Sequence, residues 1–187
     1  MKAILIMDEN YGIGYKNKPI LRFQEDIDFF QQKIRNQKVV VGFKTFMSLP
    51  TTVLHLPYII FLIVKEIIPS DELMKLLEEK GYFNIDNKRI KCPLIYQFVS
   101  EECKTSIPSF MNDAICIGGS KTYDLFADYI DTYWITYARR VVPDVDTFLT
   151  KRIVDKITNH ENVNYIHSLY TNNNEDFTIY ELGIKLN

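Results

Sequence analysis

The chain has 187 residues, 47% hydrophobic and 25% charged, which suits one soluble globular domain able to bury a core without disulfides or metals. Lys plus Arg number 22 against 24 Asp plus Glu, a net charge of −2, so no basic excess points to nucleic acid and no acidic tail is visible. The longest apolar run, residues 56–64, has strand length, and the N-terminal run 3–7 is cut off by Asp8; both argue against a membrane span or a signal peptide.

Residues 3–7 read as a buried strand, and 9–19 as a loop containing Gly12 and Gly14. Residues 25–36 read as a helix. Ile27, Phe30 and Ile34 recur on a 3–4 spacing, and Asp26 lies on the same face as Phe30. Val39-Val40-Val41-Gly42 is a short β-branched strand ending at glycine. A second helix is expected at 44–49, stopped by Pro50, and another apolar strand at 58–64. Ser70 is expected to cap a third helix with Leu73, Leu76 and Leu77 on its inner face and Gly81 at its end. Residues 82–112 carry the weakest pattern, with a strand expected at 94–99. A strand at 114–117, the pair Gly118-Gly119, a helix at 121–129 and a strand at 133–137 follow. Residues 163–169 and 177–182 flank an Asn-rich turn and read as an antiparallel hairpin. Strands alternating with helices and closed by a hairpin predict an α/β sandwich on a mainly parallel sheet with an antiparallel edge.

Cys92, Cys103 and Cys116 form no C-x-x-C pair. Cys116 lies within Ala114-Ile115-Cys116-Ile117 and reads as a buried, reduced thiol, which fits a cytoplasmic location. His55, His160 and His167 lack metal-ligand spacing, so no metal is expected. Asp113, Asp128 and Asp131 read as solvated charges.

Three constellations can carry chemistry. In Val39-Val40-Val41-Gly42-Phe43-Lys44-Thr45 a buried strand meets glycine and a helix start, where free backbone N–H groups favour a phosphate; the alternative is a plain strand–turn–helix joint. Ile117-Gly118-Gly119-Ser120-Lys121-Thr122-Tyr123 repeats the design, and its two glycines either admit a ligand to the backbone or make a tight turn. Two such corners suit the two anion contacts of a dinucleotide, but neither is a G-x-G-x-x-G or a Walker loop. Asp26, on an apolar helix face, is expected to be desolvated, with a raised pKa suited to proton chemistry or to holding a cationic heterocycle; the plainer reading is an acid favoured by the helix dipole.

In this order, the motifs resemble those of dihydrofolate reductase. They are Ile13-Gly14; Asp26 with Phe30; Gly42-Phe43-Lys44-Thr45-Phe46-Met47-Ser48-Leu49-Pro50; Ile117-Gly118-Gly119-Ser120-Lys121-Thr122-Tyr123; Trp134-Ile135-Thr136; and Asp146-Thr147-Phe148. The resemblance implies one domain over 1–187 with an insertion around 82–112. Its fold would be a three-layer α/β/α sandwich with a mainly parallel central sheet and an antiparallel C-terminal strand. It implies reduction of 7,8-dihydrofolate by hydride transfer from NADPH to pterin C6, in support of one-carbon metabolism and thymidylate synthesis. The expected partner is a small molecule, dihydrofolate or a related dihydropterin, with neither nucleic acid nor membrane, and the expected state is a monomer.

By the same resemblance Asp26 and Thr136 would be catalytic. Ile4, Leu21, Ile27, Phe30, Leu49, Val53 and Ile117 would complete the substrate site. Ile6, Ile13, Gly14 and Asn17 would close on the nicotinamide side of the cofactor, with Tyr123 nearby. Gly42, Phe43, Lys44, Thr45, Ile117, Gly118, Gly119, Ser120, Lys121 and Thr122 would line its phosphate side, the glycine pair being cis-linked. The family often has Arg where this chain has Phe43, and Lys44, Lys65 and Lys121 would replace its charge toward the 2′-phosphate of NADPH.

Two positions depart from the family. Leu21 stands where Trp is usual, and Leu56 where an Arg clamps the folate tail; no Lys or Arg occurs from Phe46 to Val64. The expectation is a weak grip on the glutamate tail unless Arg22 or Lys33 supplies a cation. The alternatives are a reductase of tail-less pterins or of a flavin-pathway pyrimidine, and a catalytically retired reductase fold used as a binding or structural protein.

Overall fold

The computed structural model describes residues 1–81, 93–172, 174 and 176–186. In chain order the elements are β1 (Lys2–Met7), β2 (Gly12–Tyr15), β3 (Lys18–Pro19), α1 (Gln24–Ile34), β4 (Lys38–Gly42), α2 (Phe43–Ser48), α3 (Thr51–Leu54), β5 (Ile59–Val64), α4 (Ser70–Glu79) and β6 (Leu94–Val99). There follow α5 (Ser100–Cys103), a 3₁₀ turn (Ser109–Met111), β7 (Ile115–Cys116), α6 (Ser120–Leu125), β8 (Thr132–Ala138), β9 (Thr147–Phe148), α7 (Lys151–Thr158), β10 (Val163–Thr171) and β11 (Phe177–Ile184).

The main sheet is ordered β10-β11-β8-β1-β7-β4-β5-β6. From β8 to β6 every pairing is parallel, and β11 runs antiparallel to both β8 and β10. The parallel strands read as continuous apolar runs because helices cover both faces; β5, Ile-Ile-Phe-Leu-Ile-Val, is buried along nearly its whole length. One core, with Leu5, Val40, Phe61, Cys116, Tyr123, Phe126, Tyr133 and Ile153, fills the face under α6 and α7. The other, with Ile4, Ile34, Val39, Phe46, Leu62, Leu77 and Trp134, fills the face under α1, α2, α3 and α4. These layers are the α/β/α sandwich expected from the sequence.

Several local expectations are revised. Residues 9–19 are not a loop but a hairpin of β2 and β3, which pairs with β9 in a second sheet ordered β3-β2-β9. Its turn uses positive φ at Lys16 (48°) and Asn17 (61°), the geometry that a two-residue hairpin demands. Ser70 does not cap α4: it is the first helical residue, preceded by Pro69, and no side chain caps that end. The helix expected at 121–129 ends at Leu125. Unanticipated α7 is held by Thr150, whose hydroxyl accepts from Ile153 N at 3.4 Å, and buries Ile153 and Ile157 one turn apart.

The stretch 82–112 divides in two. Residues 82–92 lie outside the described residues, whereas β6 extends the main sheet beside β5, and Cys103 and Met111 enter the core. Cys116 is wholly buried, and burial pushes its thiol up to about 12. Among the described residues no helix is long and apolar enough to cross a membrane.

Candidate active site

The site gathers where α1 crosses the sheet near β8 and β1. Phe23, just before α1, stacks on Phe177 of β11 at 4.2 Å, and Phe29 meets Trp134 of β8 edge-on at 6.3 Å. These contacts fix the helix over the sheet and bring Asp26 above β8, where Thr136 Oγ1 donates to Asp26 Oδ1 at 2.5 Å. Burial raises the Asp26 carboxyl above the ordinary 3.8, and the Thr136 bond partly opposes that rise. The sequence argument for a desolvated acid is thereby met in geometry.

On the face of the sheet that α1 covers, Ile4, Val53 and Ile117 are buried in one core, with Phe30, Leu49 and Phe43 packed against it. Ile27 and Leu21 are only partly covered, and Ile6 is buried on β1. Tyr123 is 4% exposed and donates its hydroxyl to Ile4 O at 2.7 Å. Burial pushes its phenol well up, with lesser repulsion from Cys116, Tyr133 and Asp26, so it stays neutral near neutral pH.

The two glycine corners adjoin because β4 and β7 are neighbours in the sheet, Val39 facing Ile115 and Val40 facing Cys116. Gly42 N donates to Gly118 O at 2.8 Å, and the Gly118–Gly119 peptide is cis. A Cβ at Gly42 would strike Thr122 Oγ1, and one at Gly119 would come within 2.9 Å of Thr45 Oγ1. Neither α2 nor α6 has a side-chain cap, so backbone is presented at both helix starts. Gly118 has φ +104°, a conformation that side-chain-bearing residues rarely adopt. Ser120 donates its hydroxyl to Phe148 O at 2.6 Å, tying α6 to β9.

The hairpin beside the site is anchored by residues whose role the sequence did not reveal. Asp8, read as the residue that ends the first strand, is fully buried and accepts from Asn10 N at 3.0 Å, Gly12 N at 2.8 Å and Val142 N at 2.9 Å. Lys16 N donates to Asp146 Oδ2 at 2.8 Å, and Asp146 N donates to Gly14 O at 3.1 Å. A charged residue closing an otherwise apolar strand was the available signal for Asp8. Ile13 packs against the core on the opposite sheet face from Ile4, and Asn17 is exposed in the hairpin turn.

The lysines differ in their engagements. Lys44, Lys65 and Lys121 are exposed and form no ion pair within the described residues. Lys33 is held over aromatic rings, its Nζ 4.4 Å from the centre of Trp134 and 5.1 Å from that of Phe29. The sequence did not single out Lys80, whose Nζ donates to Met47 O at 2.8 Å and Leu49 O at 3.1 Å across the end of α2. Asp113 and Asp128 are exposed as expected, pairing with Lys38 and Arg152, whereas Asp131 is partly covered and pairs with the buried N-terminal ammonium. Among the described residues no cluster of His, Cys, Asp and Glu is arranged to hold a metal.

A strand order with one antiparallel C-terminal strand, an acid on the first helix and a cis-glycine corner define an α/β fold of the dihydrofolate reductase type. A solved structure of dihydrofolate reductase from Enterococcus faecalis, complexed with NADP(H) and RAB-propyl, superposes with a TM-score of 0.60 at 16% identity, covering 100% of this chain and 96% of that one. The family model described as dihydrofolate reductase matches residues 1–69. The family-model match is confined to the N-terminal part of the chain, and the structural likeness is one of fold. No curated protein matches the sequence.

Proposed function

We propose that this protein is an NADPH-dependent reductase that converts 7,8-dihydrofolate to 5,6,7,8-tetrahydrofolate. The observation that carries the reading is the Asp26–Thr136 pair, a largely desolvated carboxyl and its hydroxyl donor, near enough to Tyr123 of the second glycine corner to raise that phenol's pKa. The family-model match over residues 1–69 and the likeness of fold support the same chemistry. The proposed setting is one-carbon metabolism and thymidylate synthesis in the cytoplasm.

The corners suit the phosphates of a dinucleotide because two helix starts without side-chain caps, those of α2 and α6, are brought together by the Gly42–Gly118 hydrogen bond, the glycines letting Thr122 and Thr45 pack close to the backbone. Gly42, Thr45, Gly118, Gly119 and Thr122 would hold the phosphates, with Lys44, Lys65 and Lys121 toward the ribose phosphate. NADPH, when bound, supplies the hydride. Asp26 accepts hydrogen bonds from the amino-pyrimidine edge of the pterin and favours protonation at N5, and Thr136 fixes the carboxyl's orientation. Ile4, Ile27, Phe30, Leu49 and Val53 exclude water and orient the ring, so catalysis rests on positioning and electrostatics. The hairpin pinned by Asp8 and Asp146 covers the nicotinamide side through Ile13, Gly14 and Asn17.

The test mixes purified protein, NADPH and dihydrofolate and follows loss of the reduced-nicotinamide absorbance. Steady turnover is expected. NADPH binding without turnover would transfer the reading to another heterocycle, and no binding of either compound would overturn the reductase reading.

A further inference from the structure

The helix α2 has only six residues, and its two ends serve different neighbours. Its start, Phe43 to Thr45, belongs to the first glycine corner, and Leu49, just past its last turn, packs on the core that holds Ile4 and Val53. Pro50 follows and has no N–H, so the chain does not carry the helix on and the last carbonyls need donors from elsewhere. Those of Met47 and Leu49 are taken by one side chain, Lys80, whose Nζ donates to them at 2.8 and 3.1 Å. The ammonium also lies 5.7 Å from the centre of the Phe46 ring, on the same helix.

The lysine stands on a firm base. It closes α4, whose Leu77 is buried and whose Leu73 packs on the core shared by Phe46, Val53 and Leu54. A bond also runs in the other direction: Thr51 Oγ1, at the start of α3, donates to Lys80 O at 2.5 Å. Lys80 is thus tied through both its ammonium and its carbonyl to the joint between α2 and α3. Burial pushes its pKa below the ordinary 10.5. A lysine that merely complemented a helix end would be as well placed in water; this one is partly covered, and it grips the carbonyl of a residue assigned to the substrate wall.

We propose that Lys80 is a positioning residue for substrate binding: by holding the carbonyls at the end of α2 it fixes Leu49, and with it one wall of the pterin site. The identity of the substrate rests on the reductase reading. Lys80 acts through Leu49 rather than on the ligand, two of its three N–H donors being engaged by backbone carbonyls. The opposite end of α2 is held separately, by the bond from Gly42 N to Gly118 O at 2.8 Å, so the cofactor corner should feel the loss of the ammonium less.

Steady-state kinetics of Lys80→Met, which keeps an unbranched stem and removes the charge, tests it. KM for dihydrofolate and for a tail-less dihydropterin should rise by the same factor, about tenfold, with smaller changes in kcat and in KM for NADPH. Lys80→Arg, which keeps the charge and the donors, should recover most of the loss. A lysine that served stability alone would lower the denaturation midpoint of Lys80→Met and leave these constants as they were. A second arm needs no turnover. Exchange of the hydrogen-bonded amides of Leu49, Val53 and Leu54 should accelerate in Lys80→Met, while that of Val41 and Leu62, in the sheet, stays as in wild type. If wild type reduces no dihydrofolate, the reductase reading fails and the exchange arm still decides whether Lys80 holds the end of α2. Unchanged KM values, an equal rise in KM for NADPH, a loss confined to the substrate that carries the tail, or unchanged exchange at Leu49 overturns the proposal.

Discussion

At the scale of single residues, the role proposed for Asp26 carries a stability cost. Its folded pKa is raised by burial, so the folded state binds the proton more tightly than the unfolded one. Its contribution to stability is therefore most favourable below the unfolded value near 3.8 and is lost as pH rises through the folded value. Asp26→Asn keeps an acceptor for Thr136 and removes the ionisation. The variant should be more stable than wild type above that window, with the advantage vanishing at acid pH, as read from denaturant midpoints against pH. Its dihydrofolate turnover near neutral pH should fall by about 10²-fold or more, the usual scale for a general acid–base group. Unchanged turnover would move the catalytic role to another residue. Leu56 makes a second prediction at this scale. A charge-assisted hydrogen bond contributes roughly 1.5–3 kcal/mol, and Lys33 is drawn onto Trp134 and Phe29. Dihydrofolate and a tail-less dihydropterin should therefore show KM values within about tenfold of each other. A hundredfold loss on removing the tail would require another cation at that end, and Lys80, beside Leu49, is the candidate the fold supplies.

At the scale of elements, the hairpin of β2 and β3 depends on a single buried carboxylate. Asp8 gathers backbone N–H groups from its own turn and from Val142, so one side chain binds the hairpin to the segment that leads into β9. Asp8→Ala leaves those donors without their acceptor, at about 1–3 kcal/mol for each that stays buried. It should lower the denaturation midpoint and raise KM for NADPH more than for dihydrofolate, because the hairpin covers the nicotinamide side in the proposed complex. Equal effects on both constants would detach the hairpin from cofactor binding. The sequence signals for these elements were uneven. The helix with Asp26 was readable because its apolar residues keep helical spacing. The hairpin was not, because Gly12, Gly14, Lys16 and Asn17 carry no alternating apolar pattern and β2 gains its order from pairing with β9.

At the scale of the whole molecule, the proposed cofactor choice would depend on three separate stretches of chain. Lys44 opens α2, Lys65 follows β5 and Lys121 lies in α6; all three are exposed and outside any ion pair among the described residues. If these lysines meet the extra phosphate, kcat/KM should favour NADPH over NADH, and the Lys44→Ala, Lys65→Ala, Lys121→Ala triple variant should erase most of the preference while leaving the NADH value nearly unchanged. Equal efficiency with both cofactors in wild type would rule the assignment out.

The sequence by itself determined the parallel core strands, the two glycine corners and the acid on the first helix, because each is written in local periodicity or in a residue type that only one backbone setting suits. Only the tertiary structure shows the bond from Thr136 to Asp26, 110 positions away, that the family resemblance implies. It also decided that the two corners interlock through Gly42, Gly118 and Thr122, that Asp8 is buried with its donors satisfied, and that β10 is left on the margin of the sheet. Such relations arise from strand order and register, which depend on contacts between distant segments and leave no mark in either segment alone.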